Sequence, residues 1–193
     1  NAWFWGIDNI RVSDSPPPPS PPPFQLGGAG DWCTYRRDCR RSGITSAGVN
    51  LPLNPAWVHT PAHKPVPAWP EPAREDIAHR IAALSATTVY DRVFHVAASG
   101  ESIFYGSSAD DSVYCLDAAT GRVLWAFTTE GPIRLAPTVT QGRVYAGSDD
   151  GCVYCLDAAS GTLLWKYRAV PEDRRMPGNG RMISRWPVRS GVA

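Results

Sequence analysis

Between residues 93 and 168 apolar and polar positions alternate in short runs that Gly, Asp and Ser interrupt. Alternation with period two puts successive side chains on opposite faces of an extended chain, so these runs predict half-buried strands rather than helices. The pattern predicts strands over 135–139, 143–148, 152–157 and 162–168. Gln141-Gly142 turns the first into the second, and Asp149-Asp150-Gly151 is a tight hairpin signal in which glycine supplies the positive φ. Residues 158–161 turn the third strand into the fourth, and a preceding copy of the same unit runs from about 93 to 128.

The unit repeats in sequence as well as in pattern. Val113-Tyr-Cys-Leu-Asp-Ala-Ala-Thr-Gly-Arg-Val-Leu-Trp125 returns 40 residues later as Val153-Tyr-Cys-Leu-Asp-Ala-Ala-Ser-Gly-Thr-Leu-Leu-Trp165, identical at ten of thirteen positions. Ile103-Phe-Tyr-Gly-Ser107 matches Val144-Tyr-Ala-Gly-Ser148, with one extra residue in the first copy. A period near 40 with several short strands per copy predicts the four-stranded blades of a propeller, not a helical solenoid. The expected fold class is therefore all-β: a partial β-propeller with complete blades at about 93–128 and 133–168 and a next blade starting near Trp186. Residues 53–58 resemble a lone fourth strand, with Trp57 in the place of Trp125 and Trp165. A ring removes its open edges by closing, so this segment is expected to be a closing strand.

Composition divides the chain further. The stretch over 1–13 is rich in aromatic and β-branched residues, which argues for a strand. Its ending Ile7-Asp-Asn-Ile-Arg-Val12 resembles the last strand of concanavalin- or MAM-type jelly rolls; a stray strand with no domain behind it is the other reading. Pro16-Pro-Pro-Pro-Ser-Pro-Pro-Pro23 favours polyproline II and predicts a semi-rigid linker over 14–29. The propeller region is then 30–193.

Cys115-x-Asp117-x-x-x-Gly121-x-x-x-Trp125 and Cys155-x-Asp157-x-x-x-Gly161-x-x-x-Trp165 resemble the tryptophan-docking motif of quinoprotein-type (PQQ-like) propellers, Ala-x-Asp-x-x-x-Gly-Lys-x-x-Trp. Cys replaces the small first residue, and Arg122 and Thr162 stand at the Lys position. The resemblance implies a structural role for Asp117, Gly121, Trp125, Asp157, Gly161 and Trp165. Each Asp would bond back to turn amides, each Gly would turn left-handed, and each Trp would wedge one blade against the next.

Other constellations carry less chemistry. Cys152-x-x-Cys155 falls on a strand, so its thiols point to opposite faces and lack the helix start that activates a redox pair. Cys33 and Cys39 are a candidate disulfide whose geometry nothing in the sequence constrains. Asp110-Asp111 and Asp149-Asp150 read as solvated turns, with Ca²⁺ binding as the rival. His59 and His63 read as loop residues, and His95 as part of an inner strand; together with His79 they show no metal spacing. Arg174, Arg175 and Arg181 lie in a long inter-blade loop and, with Arg185 and Arg189, form a candidate anion-binding cluster; a solvated insertion is the alternative.

A formal net charge of +1, from 19 basic and 18 acidic residues, gives no electrostatic case for nucleic acid. No apolar run approaches the roughly 20 residues of a membrane span. Phosphate-loop, serine-elbow and His-Glu-x-x-His motifs are absent from the sequence. The adjacent cysteines by which quinoprotein alcohol dehydrogenases hold their quinone are also missing. The expectation is a non-catalytic module with no catalytic, cofactor-binding or metal residue, contacting a protein or carbohydrate in a secreted or periplasmic multidomain protein. The alternative is an oxidoreductase using pyrroloquinoline quinone with Ca²⁺.

Overall fold

The computed structural model describes residues 28, 30–68, 93–178, 180–189 and 191–192. The expected N-terminal strand with its jelly-roll resemblance, the proline-rich linker and His79 lie outside the described residues, apart from Gly28.

The described residues form ten strands, β1 (Val96–Ser99), β2 (Ser102–Ser107), β3 (Ser112–Asp117), β4 (Val123–Thr128), β5 (Thr138–Thr140), β6 (Arg143–Gly147), β7 (Cys152–Asp157), β8 (Leu163–Arg168), β9 (Arg175–Gly178) and β10 (Arg181–Ser184). β1 to β4 make one antiparallel sheet in sequence order, and β5 to β8 make a second of the same topology. These are two four-stranded blades of a partial β-propeller, and no described residue is helical.

The repeat reaches down to register. Cys115 faces Trp125 and Cys155 faces Trp165, and in both sheets the ladder slips at the following residue, between Cys115/Leu116 and Cys155/Leu156. A bulge there strengthens the local twist and swings the fourth strand as it leaves its turn. The core is one cluster spanning both sheets: Ala97, Phe104, Val113, Cys115, Ile133, Val139, Val144, Ala146, Cys152, Tyr154 and Leu156, with Trp125 and Phe127 packed against it.

An N-terminal segment joins the innermost strands of the two sheets. Trp32 bridges to Ala98 on β1, the Cys33 carbonyl accepts the Val139 amide of β5 at 2.7 Å, and the buried Thr34 hydroxyl bonds Thr138 at 2.8 Å. Asp31 caps the β1–β2 turn through Ser99 Oγ and the Gly100 amide, each at 3.1 Å.

Several expectations need correction. The strand expected over 135–139 is the shorter β5, because Pro137 removes a ladder donor just ahead of it. His95 precedes β1 and meets Tyr35 edge-on at 6.1 Å, so it is not part of the inner strand. The long loop expected between Arg168 and Trp186 contains the β9–β10 hairpin, with Arg181 opposite Gly178 and Ser184 opposite Arg175. Residues 53–58 pair with no strand among the described residues, although Trp57 docks as the repeats do. After β10 the chain is irregular, yet the Val188 amide bonds Ser148 O as the Ile133 amide bonds Ser107 O, so the repeat rhythm resumes there without a strand.

Candidate functional site

The motif residues meet at the seam beside the third turn of each sheet. In the first sheet Asp117 accepts the Thr120 amide at 2.7 Å and its hydroxyl at 2.6 Å, and its own carbonyl accepts the Gly121 amide at 2.8 Å. In the second sheet Asp157 accepts the Ser160 amide and hydroxyl, both at 2.8 Å, and Gly161 donates to Asp157 O at 2.8 Å. These bonds, the side-chain one first, hold both carboxyls below the usual aspartate range.

Gly121 and Gly161 sit at φ +70° and +72°, which side-chain-bearing residues rarely adopt. They are also covered. A Cβ on Gly161 would lie 2.6 Å from Cδ2 of Trp125, and one on Gly121 would lie 2.4 Å from Cε3 of Trp57. The indole N–H of Trp125 donates to Ala158 O and that of Trp57 to Ala118 O, each at 3.0 Å. The indole of one repeat thus plugs the Asp–Gly turn of the next. Trp57 does so from a segment that belongs to no sheet, which the tryptophan alone makes legible. Trp165 differs. It is 41% exposed, packs at 5.9 Å against Tyr145 of its own sheet, and meets no glycine turn among the described residues.

The opposite rim is ionic. Asp149 is fully buried and takes two guanidinium groups: Arg134 Nε at 2.6 Å, and Arg189 in a bidentate grip at 2.8 and 2.9 Å. Arg134 also donates to Val66 O at 2.8 Å, so one side chain ties the preceding segment to the second sheet. Asp150 is buried and accepts the Tyr154 hydroxyl, as Asp110 accepts that of Tyr114. That bond, ahead of burial, pushes Tyr114 up to about 12. The expectation of solvated turns therefore fails at Asp149 and Asp150. Separation in sequence hides the cause, because the arginines come from connections 15 and 40 residues away.

The three loop arginines do not gather. Arg174 pairs with Glu172 at 3.1 Å, and Arg175 pairs with Glu130 at 2.9 Å and Asp173 at 3.4 Å. Arg181 reaches back to Asp111 and to Ala109 O across a cleft of 360 Å³ lined also by Glu130 and Met182. Burial raises Asp111 above the ordinary aspartate range despite this partner. Each guanidinium is spent on a different carboxylate.

Cys152 and Cys155 are buried, and burial pushes both thiols up, which leaves them protonated and unreactive near neutral pH. No disulfide joins buried Cys33 to exposed Cys39. His59 bonds the Tyr105 hydroxyl at 3.1 Å, and His63 is exposed. No three His, Cys, Asp or Glu side chains gather as a metal site among the described residues. Of the rim carboxylates, Asp149 is bonded by Arg134 and Arg189, Asp150 by Tyr154 and Asp110 by Tyr114, while Asp110 Oδ1 is buried without a hydrogen-bond partner among the described residues.

Repeated sheets with an indole-on-glycine seam define a PQQ-like β-propeller repeat protein. The family model for the outer membrane protein assembly factor BamB matches residues 71–186, more than half of the chain, and the chain belongs to that family. Among solved structures it is similar to BamB from Moraxella catarrhalis, at 19% identity and a TM-score of 0.36, over 43% of this chain and 28% of that one. It is also similar to the quinohemoprotein alcohol dehydrogenase ADHIIG from Pseudomonas putida HK5, at 22% identity and a TM-score of 0.37, over 40% and 13% of the two chains. A europium-containing methanol dehydrogenase aligns at 20% identity and a TM-score of 0.36, over 39% and 16%. The chain covers less than a third of the length of each of these proteins. No curated protein matches it.

Proposed function

We propose that the chain is a non-catalytic β-propeller module, a platform for contacts with a protein or carbohydrate in a secreted or periplasmic multidomain protein. Its organisation is a terminal strand of a preceding β domain over 1–13, a proline-rich linker over 14–29 and the partial propeller over 30–193. The observation that carries this reading is the seam. Asp117, Gly121, Trp125, Asp157 and Gly161 are engaged in turn hydrogen bonds and indole packing that join one sheet to the next, which supports a structural role for the motif. Membership of an outer-membrane assembly-factor family supports a location beyond the cytoplasm and a role in protein contacts. No described helix is long and apolar enough to cross a membrane.

Titration with pyrroloquinoline quinone and Ca²⁺, followed by absorbance and by dye reduction with alcohols and sugars, tests the reading. The expected result is no stoichiometric complex and no dye reduction. A one-to-one, Ca²⁺-dependent complex that reduces the dye overturns it in favour of an oxidoreductase.

A further inference from the structure

The two arginine-rich segments of this chain are electrostatic opposites. In the C-terminal connection Arg174, Arg175, Arg181 and Arg189 each face a carboxylate, and Arg185 lies 5.4 Å over the Trp186 ring. The loop over 35–43, Tyr-Arg-Arg-Asp-Cys-Arg-Arg-Ser-Gly, carries four arginines against one aspartate, in a chain whose formal net charge is only +1. Arg36 and Arg40 are exposed, and neither pairs with a carboxylate among the described residues. Asp38 is committed to the loop itself, accepting the Ser42 amide at 3.0 Å and the Ser42 hydroxyl. Arg37 lies 3.9 Å from that aspartate, and its buried Nε has no hydrogen-bond partner. Arg41 bonds Tyr35 O at 2.8 Å and lies 5.7 Å over the Tyr35 ring.

The loop is held in shape, and its shape is strained. Arg36, Arg37 and Arg41 sit at φ +57°, +81° and +57°, three side-chain-bearing residues in the left-handed region within six positions. Such conformations cost free energy and persist only where the surroundings impose them, and they concentrate at binding sites. Here Arg36 O accepts the amides of Asp38 at 3.2 Å and Gly43 at 3.0 Å, and Arg41 N donates to Asp38 O at 2.9 Å. The base of the loop is pinned by Thr34 on Thr138. The result is a preorganised display of guanidinium groups beside an exposed tyrosine.

We propose that this loop is a docking surface for an acidic protein segment, gripped through Arg36 and Arg40 with Tyr35 as its aromatic edge. The inference rests on the platform reading above and names the chemistry of the partner. The chemistry favours a protein over a lipid surface. The loop holds arginine without lysine, and arginine's planar fork matches carboxylates two bonds at a time. Arginine and tyrosine are the side chains that dominate protein interfaces. The loop itself holds no aliphatic side chain, and the exposed Ile44 that follows it lies in irregular chain rather than on the amphipathic helix that a bilayer surface takes.

The test measures binding of fluorescein-labelled octaglutamate to the whole chain by anisotropy at about 50 mM salt, where screening is weak. R36E/R40E is compared with R122E/R143E, which changes the net charge equally on exposed residues of the first and second sheets. The expected result is binding that weakens about tenfold or more in R36E/R40E and less than about threefold in R122E/R143E, with circular dichroism showing both variants folded. Equal losses in the two variants, or no binding by the unaltered chain, overturn the proposal. So does loop-dependent binding to phosphatidylserine vesicles without binding to the peptide. Quinone binding with loop-mapped peptide binding would instead overturn the platform reading alone.

Discussion

In the first sheet, Trp125 of β4 lies on Gly161 and Phe127 lies 6.0 Å from Tyr154, both residues of the second sheet. In the second sheet, β8 carries Trp165 and Tyr167 at the equivalent positions, and all six of its residues are exposed. Local conformation does not separate the two strands, since the register, the bulge and the Asp-capped turn are shared. The difference is the neighbour. A tryptophan of this motif is half of a contact, and its stabilising effect depends on whether an Asp–Gly turn stands across from it.

That difference can be broken at three places, the largest effect first. The rim turn of the second sheet holds Asp149 between Arg134 and Arg189, whereas the first has Ser108 and Ala109 there. Asp149→Asn should cost about 4 kcal/mol, because it leaves guanidinium groups beside a neutral amide, one of them buried. Ser108→Ala should cost about 1 kcal/mol. Urea unfolding of both variants measures this, and equal costs would remove the clamp from the account. Next, Trp125→Ala should cost about 3 kcal/mol and Trp165→Ala less than about 1 kcal/mol, since only the first indole covers a turn. Melting temperatures that fall together would mean that Trp165 is buried in solution.

The smallest effect comes from the turn aspartates and should not distinguish the sheets. Both folded pKa values lie below the unfolded one, so each carboxylate contributes stability above the unfolded value and loses it as pH falls through the folded value. Asp117→Asn and Asp157→Asn should each lower the melting temperature slightly at neutral pH, and both differences should shrink as pH falls below the ordinary aspartate range and the carboxylates protonate. A difference that grows on acidification would contradict the capping role.

The sheets were legible because their strands alternate cleanly and their turns carry Gly and Asp at fixed offsets, so β3, β7 and the Trp125–Gly161 contact follow from a 40-residue self-match. The β9–β10 hairpin was not. Arg-Met-Pro-Gly has no apolar alternation, and the hairpin is tied down by Arg181 on Asp111, 70 residues earlier. The same holds for Asp149, whose burial depends on partners that only the folded chain brings near. Residues 53–58 show the reverse case. Trp57 found its glycine, but a strand needs a neighbour to pair with, and pairing is not a property of the segment alone.

The short stretch Trp32-Cys33-Thr34 has a kinetic consequence. Its partners are Ala98, Val139 and Thr138, the last 104 residues away, while the strands it joins are parts of hairpin meanders with local contacts. Closing so long a loop is entropically unfavourable until both partner strands exist, so this stretch is placed to add itself after the rate-limiting step of folding. Strengthening its contacts would then lengthen the lifetime of the folded state while leaving the speed of folding unchanged.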